Sequence, residues 1–330
     1  MTDLVYYSKL YKGYNNGSGL INPIDQNLHV QLINACNPKY LFINSTWMEF
    51  DEDMIRLLDQ QPEKIIVYSG MDWHDVHYRK NVHEKLQESG KQIIYIGNTG
   101  GEGYFSFWLF FIEKYIEKFT IESPREINID KLFMCLNRKR HGHRVELVEK
   151  LLGNKLEEVG LVSLGGDSDT PPLLLNEDIT YSAGDSSASA NFEGILNDID
   201  SFGLTSNWNR HLINIVTETI CSTDTFISEK TWKPILGLKP FMILGDNKIY
   251  SYLKEYGIDT FDDIFGTGYE IPYYKDRINW IIDNLNRYRN INYNQFYIDL
   301  LPRLEANRNR MQEIFKINKT KYENVLKTLS

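Results

Sequence analysis

The stretch "KLFMCLNRKRHGHRVELVEKLLGNKLEEVGLVSL", residues 131–164, decides the fold because it contains a strand, a helix and a second strand in succession. Residues 131–137 and 159–164 are short apolar runs, which are typical of buried strands. The segment between them has apolar side chains at helical spacing, with Val145, Val148 and Leu152 on one stripe and Leu147 and Leu151 beside it. A unit of this kind predicts a parallel sheet covered by helices.

The segments on the amino-terminal side repeat this alternation. Residues 40–45, 64–69 and 91–97 predict buried strands, because each is short, apolar and closed by turn-forming residues. Residues from about 104 to 119 predict a helix. The polar, proline-containing stretch 120–130 predicts a linker between domains.

The alternation resumes on the carboxyl-terminal side. Residues 211–218 and 239–245 predict strands, and residues 247–257 predict a helix stopped by its final glycine. The stretch 165–189 is rich in Gly, Asp, Ser and Pro, which predicts a long mobile loop. The tail from about residue 303 predicts a charged helix.

The predicted fold class is therefore α/β, with two Rossmann-like domains facing each other across a cleft. Residues 1–122 form the predicted N-terminal domain, residues 128–305 the C-terminal domain, and residues 306–330 a C-terminal helical extension. A length of 330 residues also favours two domains over one.

Composition limits the classes of function. The net charge of −9 weighs against a broad basic face for nucleic acid or anionic lipid, although it leaves room for a local basic pocket. Three widely spaced cysteines, Cys36, Cys135 and Cys221, favour buried free thiols in a reducing compartment. The sequence shows no secretory signal, and its most apolar segment, residues 103–112, is too short to cross a bilayer. We therefore expect a soluble cytoplasmic protein without a transmembrane segment.

The stretch "FISEKTWKPILGLKPFMILG", residues 226–245, carries an acid and a base, Glu229 and Lys230, where a helix begins near Ser228. A carboxylate there can accept hydrogen bonds from both hydroxyls of a ribose, and a lysine can neutralise a phosphate with help from the helix dipole. The pair predicts a nucleotide site. The alternative is that both residues are ordinary solvent-exposed charges at a helix start.

Residues 217–245 and 133–153 resemble the donor-binding segments of the α-1,3-fucosyltransferase family, which has the GT-B fold. The resemblance implies a glycosyltransferase whose donor is a nucleotide sugar, with Arg144 facing the diphosphate. It assigns donor binding to six residues, Asn137, Arg144, Glu218, Ser228, Glu229 and Lys230.

The N-terminal half resembles the family less closely, in "IIVYSGMDW" and "YIGNTGGEGYFSFWLFF", residues 65–73 and 95–111. The comparison offers Glu102 as the general base, with Asp72 or Asp75 as the second choice. A carboxylate base and cations such as Arg144 and Lys230 suit transfer to a hydroxyl, because the base takes the proton and the cations stabilise the leaving diphosphate. The resemblance implies inversion of configuration.

We expect a GDP-fucose-like or UDP-linked donor, a glycan acceptor and no metal or other cofactor. Asp167 and Asp169 have the Asp-x-Asp spacing of a metal site but lie in the predicted loop, and His74 and His77 with their acidic neighbours are more typical of a surface helix start. His141 and His143 are interpreted as turn residues beside the donor site. Two alternatives remain: a transferase that glycosylates modified DNA bases, and a nucleotide-sugar-binding module without turnover.

Overall fold

The computed structural model describes residues 128–137, 139–166, 169–170, 173–174, 205–221 and 227–329, together with residues 88 and 90 and the backbone of five short N-terminal strands. The chain divides into two compact units, Met1–Phe111 with Phe315–Ser330, and Ile112–Ile314. The class α/β is confirmed, with a parallel sheet in the first unit and a sheet with one antiparallel edge strand in the second.

The first unit contains a parallel sheet of five described strands in sequential order. These are β1 (Val5–Tyr7), β2 (Tyr40–Asn44), β3 (Ile65–Ser69), β4 (Ile93–Gly97) and β5 (Tyr104–Ser106). The predicted strands at 40–45, 64–69 and 91–97 are confirmed. The predicted helix from about 104 is wrong at its start, because residues 104–106 pair with β4. The described strand order has no reversal, unlike that of a Rossmann-type sheet.

The second unit contains a sheet of five described strands in the order β10-β9-β6-β7-β8. The strands are β6 (Lys131–Asn137), β7 (Gly160–Leu164), β8 (Leu173–Leu174), β9 (His211–Thr217) and β10 (Phe241–Leu244). β8 pairs antiparallel with β7, and the other four strands are parallel. Because β8 lies within the predicted loop 165–189, that prediction is wrong at residues 173–174.

Seven described α-helices accompany this sheet. They are α1 (Gly142–Gly153), α2 (Thr205–Arg210), α3 (Glu229–Leu236), α4 (Lys248–Glu255), α5 (Asp262–Phe265), α6 (Tyr274–Tyr288) and α7 (Tyr293–Leu329). The predicted boundary between residues 305 and 306 lies inside α7, which is continuous from the second unit into the segment assigned to the first. No helix in the described part of the chain is long and apolar enough to span a bilayer.

The core of the second unit lies between its sheet and the helices. All seven residues of β9 are buried, which is expected for a parallel strand covered on both faces. The stripe of α1 buried against α6 and β7 consists of Leu147, Val148, Leu151 and, in the first position, Arg144. A charged side chain therefore occupies a core position beside the end of the sheet.

Candidate functional site

The strand order of the second sheet reverses at β6. From β6 the chain passes to β7 on one side, and it later forms β9 and β10 on the other side. In open α/β sheets, ligands bind outside the carboxyl ends of the strands at such a reversal. We call this end of the sheet, formed by Asn137, Leu164, Thr217 and Leu244, the carboxyl edge, and the opposite end the amino edge.

Asn137 joins the two strands at the reversal. Its Oδ1 accepts a 2.5 Å hydrogen bond from Thr217 Oγ1 on β9. Its Nδ2 donates to the Ser163 carbonyl of β7 at 3.2 Å. The side chain is buried, and both ends of the amide are engaged inside the protein. Asn137 therefore fixes three strand ends relative to one another.

Arg144 lies directly beside this junction and is only 3% exposed. Its guanidinium donates to the Thr217 carbonyl at 2.9 Å and to the Lys139 carbonyl at 3.4 Å. Because an arginine side chain does not lose its proton in a protein, these bonds hold a permanent positive charge at the carboxyl edge.

His143 ties the start of α1 to the end of β9. Its Nε2 lies 2.9 Å from the Glu218 carbonyl oxygen, which can only accept, so Nε2 carries the proton. Burial lowers the pKa of His143 to about 4, with the positive charge of Arg144 acting in the same direction. The ring is therefore neutral at pH 7, and its Nδ1 is a hydrogen-bond acceptor. The His141 ring lies parallel to it, with the ring centroids 5.9 Å apart.

Glu218 connects the end of β9 to the start of α3 and is 0% exposed. Its Oε1 accepts hydrogen bonds from Ser228 N at 3.0 Å and from Thr231 Oγ1 at 2.6 Å. Its Oε2 accepts from Ser228 Oγ at 2.6 Å. Both carboxylate oxygens therefore hold the start of α3 against the end of β9, so Glu218 has a structural role at the carboxyl edge.

Ser228 caps α3, whose start near this residue the sequence predicts, and brings Lys230 to the same place. The Ser228 Oγ accepts from the Lys230 backbone N–H at 3.3 Å and from Lys230 Nζ at 3.2 Å. With its own proton given to Glu218, this hydroxyl uses its full bonding capacity. Lys230 is half-buried, so its ammonium group lies at the start of the helix within reach of solvent.

Arg277 is a charged residue of this edge that sequence reasoning missed. It lies on α6, is 2% exposed, and donates to the carbonyls of Cys221 and Gly245, which follow β9 and β10. The available signal is its register, because Arg277 falls on the same helical stripe as the buried Ile281 and Leu285.

The structure thus brings five predicted donor-site residues to one edge. The five are Asn137, Arg144, Glu218, Ser228 and Lys230. The Glu229 side chain, Asp72, Asp75, Glu102, Asp167, His74 and His77 lie outside what the structure describes. Asp169 is exposed.

The chemistry available at the carboxyl edge is that of an anion site. Two cations, Arg144 and Lys230, lie next to the first turns of α1 and α3, whose backbone N–H groups favour negative charge. Within the described ranges no cluster of three His, Cys, Asp or Glu side chains could hold a metal ion.

Comparison with known proteins gives no match: no family model fits the chain, and no curated protein or solved structure is significantly similar to it.

Proposed function

We propose that this protein is a glycosyltransferase that moves a sugar from a nucleotide diphosphate to a hydroxyl of a glycan acceptor. The donor is GDP-fucose-like or UDP-linked, and the two units correspond to the acceptor and donor domains of a GT-B enzyme. The proposal includes inversion by a carboxylate base, Glu102 or Asp72, without a metal. The buried free thiols Cys135 and Cys221 support a reducing, cytoplasmic location.

The observation that carries the proposal is the meeting of Arg144, Lys230 and two helix starts at the reversal of strand order. Transfer from a nucleotide sugar leaves a diphosphate, and fixed cations stabilise the negative charge that builds on it. Arg144 is held rigidly by backbone carbonyls, so its charge needs no rearrangement during the reaction. Lys230 is the more accessible of the two and would contact a phosphate directly.

The remaining predicted residues take different parts in this proposal. The polar side-chain atoms of Asn137, Glu218 and Ser228 form hydrogen bonds within the protein, which supports a role in holding the strand ends and the start of α3 in position. Glu229, the first residue of α3, would bind the ribose hydroxyls.

A thermal-shift screen against GDP, UDP, ADP, CMP and their sugar conjugates tests donor binding. A nucleotide at 100 times its dissociation constant should stabilise the folded protein by about 2.7 kcal/mol. Lys230→Met should weaken binding of the responding nucleotide, whereas Lys233→Met, one turn further from the start of the same helix, should weaken it less. If no nucleotide shifts the melting temperature, or if both variants bind alike, the proposed donor site is wrong.

Turnover separates an enzyme from a binding module. Glu102→Gln should abolish sugar transfer or donor hydrolysis while leaving nucleotide affinity unchanged, because the base acts on the acceptor hydroxyl. Activity should persist in EDTA. Nucleotide binding without any turnover in the wild-type protein would favour the non-catalytic alternative.

A further inference from the structure

Arg277 fixes three segments of the second unit to one another at the carboxyl edge. One terminal nitrogen donates to the carbonyls of Ile271 and Pro272 at 2.7 and 2.8 Å. The other donates to the carbonyls of Cys221 and Gly245 at 2.7 and 2.8 Å. Four short bonds to backbone oxygens leave the guanidinium no freedom to move.

The charge of Arg277 is permanent and is balanced differently from those of Arg210 and Arg303. Arg210 and Arg303 pair with carboxylates, at 2.8 Å from Asp130 and 2.6 Å from Asp259. Arg277 forms no ion pair with a carboxylate in the described part of the chain, and its Nε has no acceptor there. A buried charge costs several kcal/mol in lost hydration, and the carbonyl dipoles around Arg277 offset part of that cost without neutralising the charge.

The position of that charge is specific. Cys221 follows the end of β9 closely, and Gly245 directly follows β10, so Arg277 lies at the same edge as Arg144 and Lys230. Asp246 is close enough to act on the Cys221 thiol, but its Oδ1 accepts a hydrogen bond from the Lys248 backbone N–H at 2.9 Å. The described charged residues at the carboxyl edge are therefore three cations, Arg144, Lys230 and Arg277, and two buried acidic residues, Glu218 and Asp246, so cations are in excess there although the chain has a net charge of −9.

We propose that Arg277 is a positioning residue for the anionic part of the ligand, which it attracts from beneath the carboxyl ends of β9 and β10 without touching it. The proposal rests on the proposed function, since it requires a diphosphate at this edge. At an effective dielectric constant of about 20, a unit charge about 10 Å from an opposite unit charge changes the affinity roughly tenfold, so a residue that does not touch the ligand can still affect its binding measurably.

Inorganic pyrophosphate and the nucleosides guanosine and uridine are the probes, with binding measured by calorimetry. Arg277→Gln keeps an amide donor and loses the charge, so the dissociation constant of pyrophosphate should rise roughly tenfold. Arg277→Lys keeps the charge and should restore most of that affinity at pH 6. Nucleoside affinity should be the same in all three proteins, because nucleosides carry no charge.

Arg210→Gln is the matched control. It removes the same charge from the amino edge, about 20 Å away along the seven-residue strand β9, which is beyond the screening length at physiological salt. Its pyrophosphate affinity should equal that of the wild-type protein.

The outcomes separate this inference from the proposed function. If wild-type protein binds pyrophosphate through Lys230 but Arg277→Gln binds it equally well, only the inference is overturned. Equal losses in the Gln and Lys variants, or a parallel loss of nucleoside binding, would make Arg277 a purely structural clamp. Failure of both variants to fold would also make Arg277 a structural clamp and overturn the inference. Wild-type protein that binds neither pyrophosphate nor any nucleotide diphosphate overturns the proposed function as well.

Discussion

Glu218 is a carboxylate completely removed from solvent, and its three hydrogen bonds decide what it can do. A buried ionised group is tolerated when donors surround it, and here Ser228 and Thr231 supply them. The same bonds join the first residue after β9 to the N-cap and first turn of α3. This network therefore holds the start of α3 in place and, with it, Lys230.

Glu218→Gln should lower the free energy of unfolding by about 2–3 kcal/mol, because an amide nitrogen cannot accept from Ser228 Oγ and hydrogen bonds to a charged acceptor are lost. Urea denaturation measures this change. Glu270→Gln, at an exposed position, should leave stability unchanged within about 0.5 kcal/mol. Equal stability of the two variants would contradict the role given to Glu218.

Lys239 makes stability depend on pH. It is 4% exposed, donates to the His211 carbonyl at 2.6 Å, and lies over the Tyr297 ring. Burial lowers its pKa to about 7, whereas an unfolded lysine titrates near pH 10.4. Between these values the unfolded chain holds a proton that the folded chain has released, so raising the pH favours folding, by up to about 1.4 kcal/mol per pH unit.

Lys239→Met should therefore flatten the rise in unfolding free energy between pH 7 and pH 10, as measured by urea titration at each pH. Burial raises the pKa of the neighbouring Tyr297 to about 12, so this tyrosine titrates above the window. Lys316→Met, at an exposed site, should keep the wild-type slope. A slope unchanged in Lys239→Met would show that this lysine is not the titrating group.

The buried arginines show the limit of sequence reasoning at the scale of single residues. Hydrophobic periodicity predicts an apolar stripe on α1, yet the buried stripe includes Arg144 and leaves Val145 half-buried. The family resemblance assigns Arg144 to the donor site, whereas it assigns no role to Arg277. What makes both burials favourable is a set of carbonyls from distant segments, which no local pattern reveals.

Elements of the second unit follow their local sequence closely. The strand predicted at 131–137 has the same bounds in the structure, and the helix start predicted near Ser228 is confirmed by its cap. Short apolar runs closed by turn residues leave little choice of conformation. Residues 104–106 and 173–174 were missed because their strand pairing depends on partners far along the chain, β4 and β7.

The contact between α2 and the end of α3 gives a prediction at this scale. A Cβ atom on Gly237 would lie 2.3 Å from the buried Trp208 ring, whose Nε1 donates to the Gly237 carbonyl. Gly237→Ala should therefore destabilise the protein by about 1–3 kcal/mol through overpacking. Gly153→Ala, where nothing lies within 4 Å, should be neutral or slightly stabilising in the same denaturation assay. Equal effects would mean that Trp208 can move aside.

At the scale of the whole molecule, the alternation of strands and helices predicted the α/β class but not the strand orders. Sequence periodicity identifies strands but does not show which strands pair. The reversal at β6 and the sequential order of β1 to β5 therefore follow only from the structure. The reversal is the feature that turns a set of polar residues into a candidate site.

The division of the chain predicts that the second unit is an independent folding unit. A protein comprising residues 112–314 contains all five described strands of the second sheet and should unfold in one cooperative transition by circular dichroism. It should also bind any nucleotide that stabilises the full chain. A non-cooperative melt would show that residues 315–330, at the end of α7, are required for the unit to fold.

Cys135 and Cys221 give the second unit two internal reporters of motion. Burial raises the pKa of both thiols, to about 12 for Cys135, so alkylating reagents should modify them only when the surrounding structure opens. Cys135 lies within β6, and Cys221 lies beneath the Arg277 guanidinium. Wild-type protein can be used without introducing a probe. The alkylation rate of Cys135 would report local opening of β6, and that of Cys221 would report local opening just beyond the end of β9.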